Sequence, residues 1–207
     1  MSQSYRRIEW CLNKAKKELE ECRRLNKRPK HKGLIKSEPN NEEAQNHLWR
    51  IRLIMLLFIR ILQTENLGQR ATKLPKFSVK KAEENLRFAT SLESKNYGYK
   101  IIESIFYCMY QCFLSIAAKF GYESANQTCT ISLIEYLREE NKIELDKKFI
   151  EMMKYKEDQD EKTSLSIIDM REDYTYSAKI SVEKDKIDSL ILISQELIEM
   201  TNRRIYL

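Results

Sequence analysis

The chain has 207 residues, 42% of them hydrophobic, which is enough for one core and limits it to one or two domains. Four glycines and three prolines are too few for the turns of a sheet protein, so the composition predicts helices joined by polar loops. The net charge of +6 is concentrated at one end: residues 1–36 carry twelve Lys or Arg against four Glu, and the remainder is slightly acidic.

A basic segment of this kind attracts polyanions and speeds encounter with them. Its bland reading is the solvated face of a surface helix. The five cysteines are Cys11, Cys22, Cys108, Cys112 and Cys129. The odd count, with no apolar stretch resembling a signal peptide near Met1, predicts a reducing, cytoplasmic setting. The most apolar run, Leu53 to Ile59, is far shorter than the ~20 residues that span a bilayer. Arginines at 50, 52 and 60 flank or interrupt it, so neither a transmembrane helix nor a membrane partner is expected.

Residues 4–25 repeat Ile8, Cys11, Leu12, Ala15, Leu19 and Cys22 at helical spacing. A basic loop with Pro29 and Gly33 follows, then a helix over 42–64 that is apolar almost all round in its second half. Gly68 and Pro75 predict a break over 65–77. Ser78 is the expected N-cap of a helix over 79–94, with Val79, Ala82, Leu86, Ala89 and Leu92 as its buried stripe.

The strongest helical pattern covers 99–120 and stops at Gly121. Its apolar face includes Ile102, Ile105, Phe106, Met109 and Phe113. Ser104, Cys108, Gln111 and Ser115 form a second, mostly small stripe that predicts a central place in a bundle. Beyond a polar loop over 122–127, Thr128 or Thr130 is expected to cap one short helix and Asp146 to start another. A charged loop covers 156–163, a helix 164–178, and a last helix begins at Ser181. Residues 1–77 read as a basic N-terminal extension and 78–207 as an all-α bundle.

His31 and His47 lie in different elements without ligand-spaced partners, and no Cys-x-x-Cys occurs, so no metal is expected. Two distant histidines support no nucleophile–base pair, and the four scattered glycines form no phosphate loop. The chemistry concentrates in Arg171-Glu172-Asp173-Tyr174-Thr175-Tyr176. Arginine suits phosphate because its planar fork donates two parallel hydrogen bonds. The structural alternative is a surface ion-pair network with tyrosines at the edge of a bundle.

Three segments, in order, resemble the HEPN family of prokaryotic helical proteins over roughly residues 80–200. They are Lys81 to Ala89, the aromatic helix Ile105 to Tyr122, and Arg171 to Tyr176. The resemblance implies a four- to five-helix up-and-down bundle, often homodimeric, with arginine motifs meeting at a cleft. It further implies a metal- and cofactor-independent ribonuclease of a toxin–antitoxin or defence system, or a silent module paired with a nucleotidyltransferase or antitoxin.

In the active members an Arg-x4-6-His motif cleaves RNA. Here that spacing gives Tyr176, Ser177 and Ala178. Arg171 and Tyr176 are thus the candidate catalytic pair, although tyrosine is a poor base near neutral pH. Tyr174, Glu172, Asp173 and the loop residue Asn126 are the candidate binding residues, with RNA or a nucleotide as ligand.

Overall fold

The computed structural model describes residues 3–24, 34–36, 67–92, 97–124, 126–156, 165–177 and 181–206. In chain order the elements are α1 (Gln3–Arg24), β1 (Leu34–Lys36), α2 (Leu67–Leu92), α3 (Gly98–Lys119), β2 (Tyr122–Ser124), α4 (Gln127–Glu139), α5 (Lys147–Met152), α6 (Ile167–Tyr176) and α7 (Lys184–Tyr206). The fold is all-α apart from a small antiparallel ribbon in which Leu34 faces Ser124 and Lys36 faces Tyr122. The predicted loop over 26–33, the apolar helix over 42–64 and both histidines lie outside the described residues.

Helix α3 packs against α2, α4, α6 and α7 and so occupies the centre. Ile101, Ile102, Ile105, Met109, Phe113 and Ile116 are buried on it, and Phe106 joins them at its edge. Of the small stripe, Ser104, Cys108 and Ser115 are buried and Gln111 is half-buried; Cys112 is buried beside them, and these small residues let neighbouring helices come close. The hydrogen bond to Cys112, burial and nearby charge push the Cys108 thiol far up, so it stays protonated. By length and composition α3 could cross a membrane, but 67% of its apolar window is buried by its neighbours. Gly121 ends the segment with φ 77, a left-handed turn that glycine adopts without strain.

Helix α2 overturns the predicted break. It starts at Leu67 and runs through Pro75, so Ser78 is a buried interior residue and not a cap. The predicted boundary between residues 77 and 78 therefore falls within one helix. Proline costs the helix one backbone bond. Here its carbonyl accepts a hydrogen bond from buried Ser115 Oγ at 2.8 Å, tying α2 to α3 at the position where the helix is weakest. Val79, Ala82, Leu86 and Ala89 then bury the predicted stripe.

Two other expectations shift. The cap of α4 is Asn126, whose Oδ1 accepts from Cys129 N at 3.0 Å, and not Thr128 or Thr130. Residues 122–124, expected to be loop, pair with β1. Asp146 caps α5 as predicted.

Helix α1 lies against α4 and β1, with Ile8, Cys11 and Ala15 buried. Cys11 and Cys129 form a disulfide across a sequence separation of 118, with Cα atoms 6.0 Å apart. The odd cysteine count thus conceals a pair, and it no longer argues for a reducing compartment. Closing so long a loop restricts the unfolded chain strongly. Cys11→Ser, or treatment with a dithiol, is expected to lower the unfolding free energy by about 3–5 kcal/mol. Urea denaturation checks this; an unchanged midpoint would mean that the bond contributes nothing to holding α1.

Candidate functional site

Helix α6 carries the arginine motif, and its first turn is fixed before the arginine is reached. Ser166 is the N-cap: its Oγ accepts from Asp169 N at 3.1 Å and donates to Lys154 O at 2.8 Å. Asp169 Oδ2 in turn accepts from Lys156 N at 2.8 Å. These bonds attach the start of α6 to the chain leaving α5. Ile167, Ile168 and Met170 bury the inner face. That fixes the rotation of α6 and sets Arg171 beside α3.

The Arg171 guanidinium lies over the Phe106 ring, with Cζ 4.2 Å from the centroid. Phe106 is supported beneath by Tyr110, whose ring is stacked at 6.0 Å with an interplanar angle of 9°. Cation–π contact holds the plane of the guanidinium without using its N–H groups. Arg171 remains 24% exposed, and its nearest carboxylate is Glu172 Oε1 at 3.8 Å from Nη2. That distance is too long for a hydrogen bond. Among the described residues the guanidinium makes none.

Glu172 is held instead by Tyr155, whose hydroxyl donates to the same Oε1 at 2.7 Å. This bond, with burial and the Glu172 charge, raises the Tyr155 pKa above its ordinary value. The phenol nearest the arginine is therefore kept protonated, as a donor.

Tyr176 is 86% exposed at the end of α6. Arg171 and Tyr176 are not brought together, so the candidate catalytic pair is not a pair. Five residues turn a helix by nearly one and a half turns, which points the two side chains apart. Tyr174 packs partly against the core, and Asp173 is exposed with its backbone carbonyl accepting from Ser177 N. Asn126 is an α4 cap and belongs to a separate network: Thr130 Oγ1 bonds Ser124 Oγ at 2.8 Å and lies 3.2 Å from Tyr110 Oη. That network supports Phe106 from behind through Tyr110. Phe106 and Tyr155 are the site residues that sequence reasoning missed. Phe106 was legible only as core, and Tyr155 lies 17 positions from its partner.

A buried ion cluster sits next to this site. Lys154 is 7% exposed and its Nζ contacts Glu135 Oε1 at 2.5 Å and Glu151 Oε1 at 3.1 Å; Glu151 is 2% exposed. Burial alone would depress the lysine pKa, but the hydrogen bonds and charges of Glu135 and Glu151 outweigh it and raise it above 10.5. The cluster links α4, α5 and Lys154, just beyond α5, by charge.

A groove of about 1100 Å³ lies elsewhere. Lys119, Arg138, Glu139, Asp146 and Arg203 line it, at the far end of α3 and about 20 Å along the helix from Phe106. Basic and acidic side chains alternate there, and Arg138 Nε is already bonded to Leu145 O at 2.9 Å. None of the motif residues reaches it. No family model, curated protein or solved structure matches the chain.

Lys154→Met leaves Glu151 buried without its cation and is expected to cost about 3–5 kcal/mol by chemical denaturation. In the parent protein the raised lysine pKa makes its contribution complete below pH 10.5 and lost as pH climbs through the higher folded value. A stability profile between pH 8 and 12 should therefore decline on the alkaline side. The Lys154→Met profile should decline less, and parallel curves would remove the cluster from the account.

Proposed function

We propose that this chain is a HEPN-type helical module that binds RNA through the phosphate-gripping side chain of Arg171 and does not cleave it. One observation carries the reading. A partly exposed guanidinium is held over the Phe106 ring, with no hydrogen bond among the described residues. Orientation by a ring face costs no donors, so a phosphate meets an arginine whose freedom is already restricted.

Support for the family comes from the order of the three segments: Lys81 to Ala89 on α2, Ile105 onward on α3, and the arginine motif on α6. Support for binding without cleavage comes from the surroundings. In-line attack by a ribose hydroxyl needs a proton acceptor within hydrogen-bond reach. Tyr176 points to solvent, and the Tyr155 phenol is kept protonated by Glu172. A homodimer with two Arg171 sites belongs to the same proposal.

The test is anisotropy of a labelled oligoribonucleotide with the full chain, without added metal. Arg171→Ala is expected to weaken binding about ten- to a hundredfold, as loss of charge-assisted hydrogen bonds does. Arg171→Lys should restore only part, because lysine lacks the fork. The RNA should stay intact. Cleavage that vanishes in Arg171→Ala would restore the ribonuclease reading. Equal affinity of the parent and Arg171→Ala would end the RNA reading of this site.

A further inference from the structure

The outer face of α1 has a composition that nothing at the Arg171 site uses. Arg6, Trp10, Lys14 and Lys17 follow one another at helical spacing along α1, and all four are exposed. They form a single ridge about 16 Å long. Trp10 is 55% exposed, and Lys14 Nζ lies 4.4 Å from the centroid of its ring. Arg6, Lys14 and Lys17 have no carboxylate partner among the described residues. The ridge ends at Lys17, where Glu18, Glu20 and Glu21 reverse the charge.

We propose that this ridge is a second contact surface for single-stranded RNA, with Trp10 stacking on a base and the three cations lying along the phosphates. The ligand class rests on the RNA reading above; the surface does not. A large aromatic ring exposed between positive charges matches the combination that single-stranded nucleic acid offers, a flat base beside a phosphate. A duplex keeps its bases stacked and gives the ring nothing to lie on.

A lipid surface fits less well. A helix lying on a membrane inserts its apolar face. The apolar face of α1, Ile8, Cys11 and Ala15, is already buried against the bundle, and Cys11 is covalently tied to Cys129. Up to Lys17, the side chains that face outward, Arg6, Glu9, Trp10, Asn13, Lys14 and Lys17, are polar or charged apart from Trp10. The cross-link also ties the ridge-bearing helix to the bundle.

The experiment measures anisotropy of a labelled single-stranded oligoribonucleotide with the full chain, against Trp10→Ala, Trp10→Phe and the triple variant Arg6→Gln, Lys14→Gln, Lys17→Gln. All four positions are exposed, and circular dichroism checks that each variant is folded. Trp10→Ala should weaken single-strand binding roughly tenfold, and Trp10→Phe should keep most of it. The triple variant should lower the salt dependence of log K by about 2, at about 0.7 per phosphate contact. A duplex of the same length should bind Trp10→Ala and the parent alike.

Wild-type affinity in Trp10→Ala overturns the proposal. So does an equal loss for single strand and duplex, or Trp10-dependent binding to phosphatidylserine vesicles without binding to RNA. The two sites fail separately. If Arg171→Ala loses affinity and Trp10→Ala does not, the ridge is wrong and the α6 site stands. The opposite pattern leaves the ridge and removes the α6 site.

Discussion

The burial of α3 on almost every side is the constraint from which the rest of the molecule follows. A helix surrounded by α2, α4, α6 and α7 can carry no charge along most of its length and must offer both bulk and close approach. Ile101, Ile105, Met109 and Phe113 supply bulk, each worth about 1.5–3 kcal/mol of apolar burial. Ser104, Cys108, Cys112 and Ser115 supply the thin places. Polarity at those thin places is then used for attachment. Ser115 reaches out to the carbonyl of Pro75, and Ser104 turns inward to Lys100 O at 2.7 Å.

The Arg171 site is a by-product of that burial. Phe106, a core residue, has the Tyr110 ring parallel to its own at 6.0 Å and the Arg171 guanidinium over it at 4.2 Å. A core side chain thus serves as the floor of a surface site, and a cation is oriented by an apolar group. Of the surrounding carboxylates, Glu172 accepts the Tyr155 hydroxyl and Asp169 the Lys156 amide. What remains is a partly exposed guanidinium over a ring, with the Glu172 carboxylate 3.8 Å away.

How much could be read in advance depends on how local each signal is. The limits of α3 were legible, because apolar periodicity and Gly121 act within a turn or two. The Asp146 cap and the stripe of α2 were legible for the same reason. Pro75 misled, since its local effect is to break a helix, whereas α2 runs through it along a non-local contact with α3 that includes the Ser115 hydroxyl 40 positions away. The disulfide could not be deduced, as spacing does not specify connectivity. At the site, the motif drew attention to Arg171, which the fold sets beside α3. The ring beneath it was invisible, because a phenylalanine on an apolar face reads the same whether it packs against leucine or arginine. Tyr176 was misplaced by counting along the chain, where the helix rotates the side chain away.

The contact between α1 and α4 bears on how the chain can be shortened. The family-like region taken alone, cut at residue 78, looks like a natural fragment. Such a cut would split α2 inside its length and discard the partner of α4. It would leave Cys129 without Cys11 and bare the α4 surface that Ile8 and Ala15 cover. It would also strip β1 from β2, opening a row of backbone groups at Tyr122–Ser124 to pairing with other chains. The piece most easily delimited on paper is therefore the one most prone to self-association, and the basic N-terminal helix acts as a cover for the bundle as well as a surface of its own.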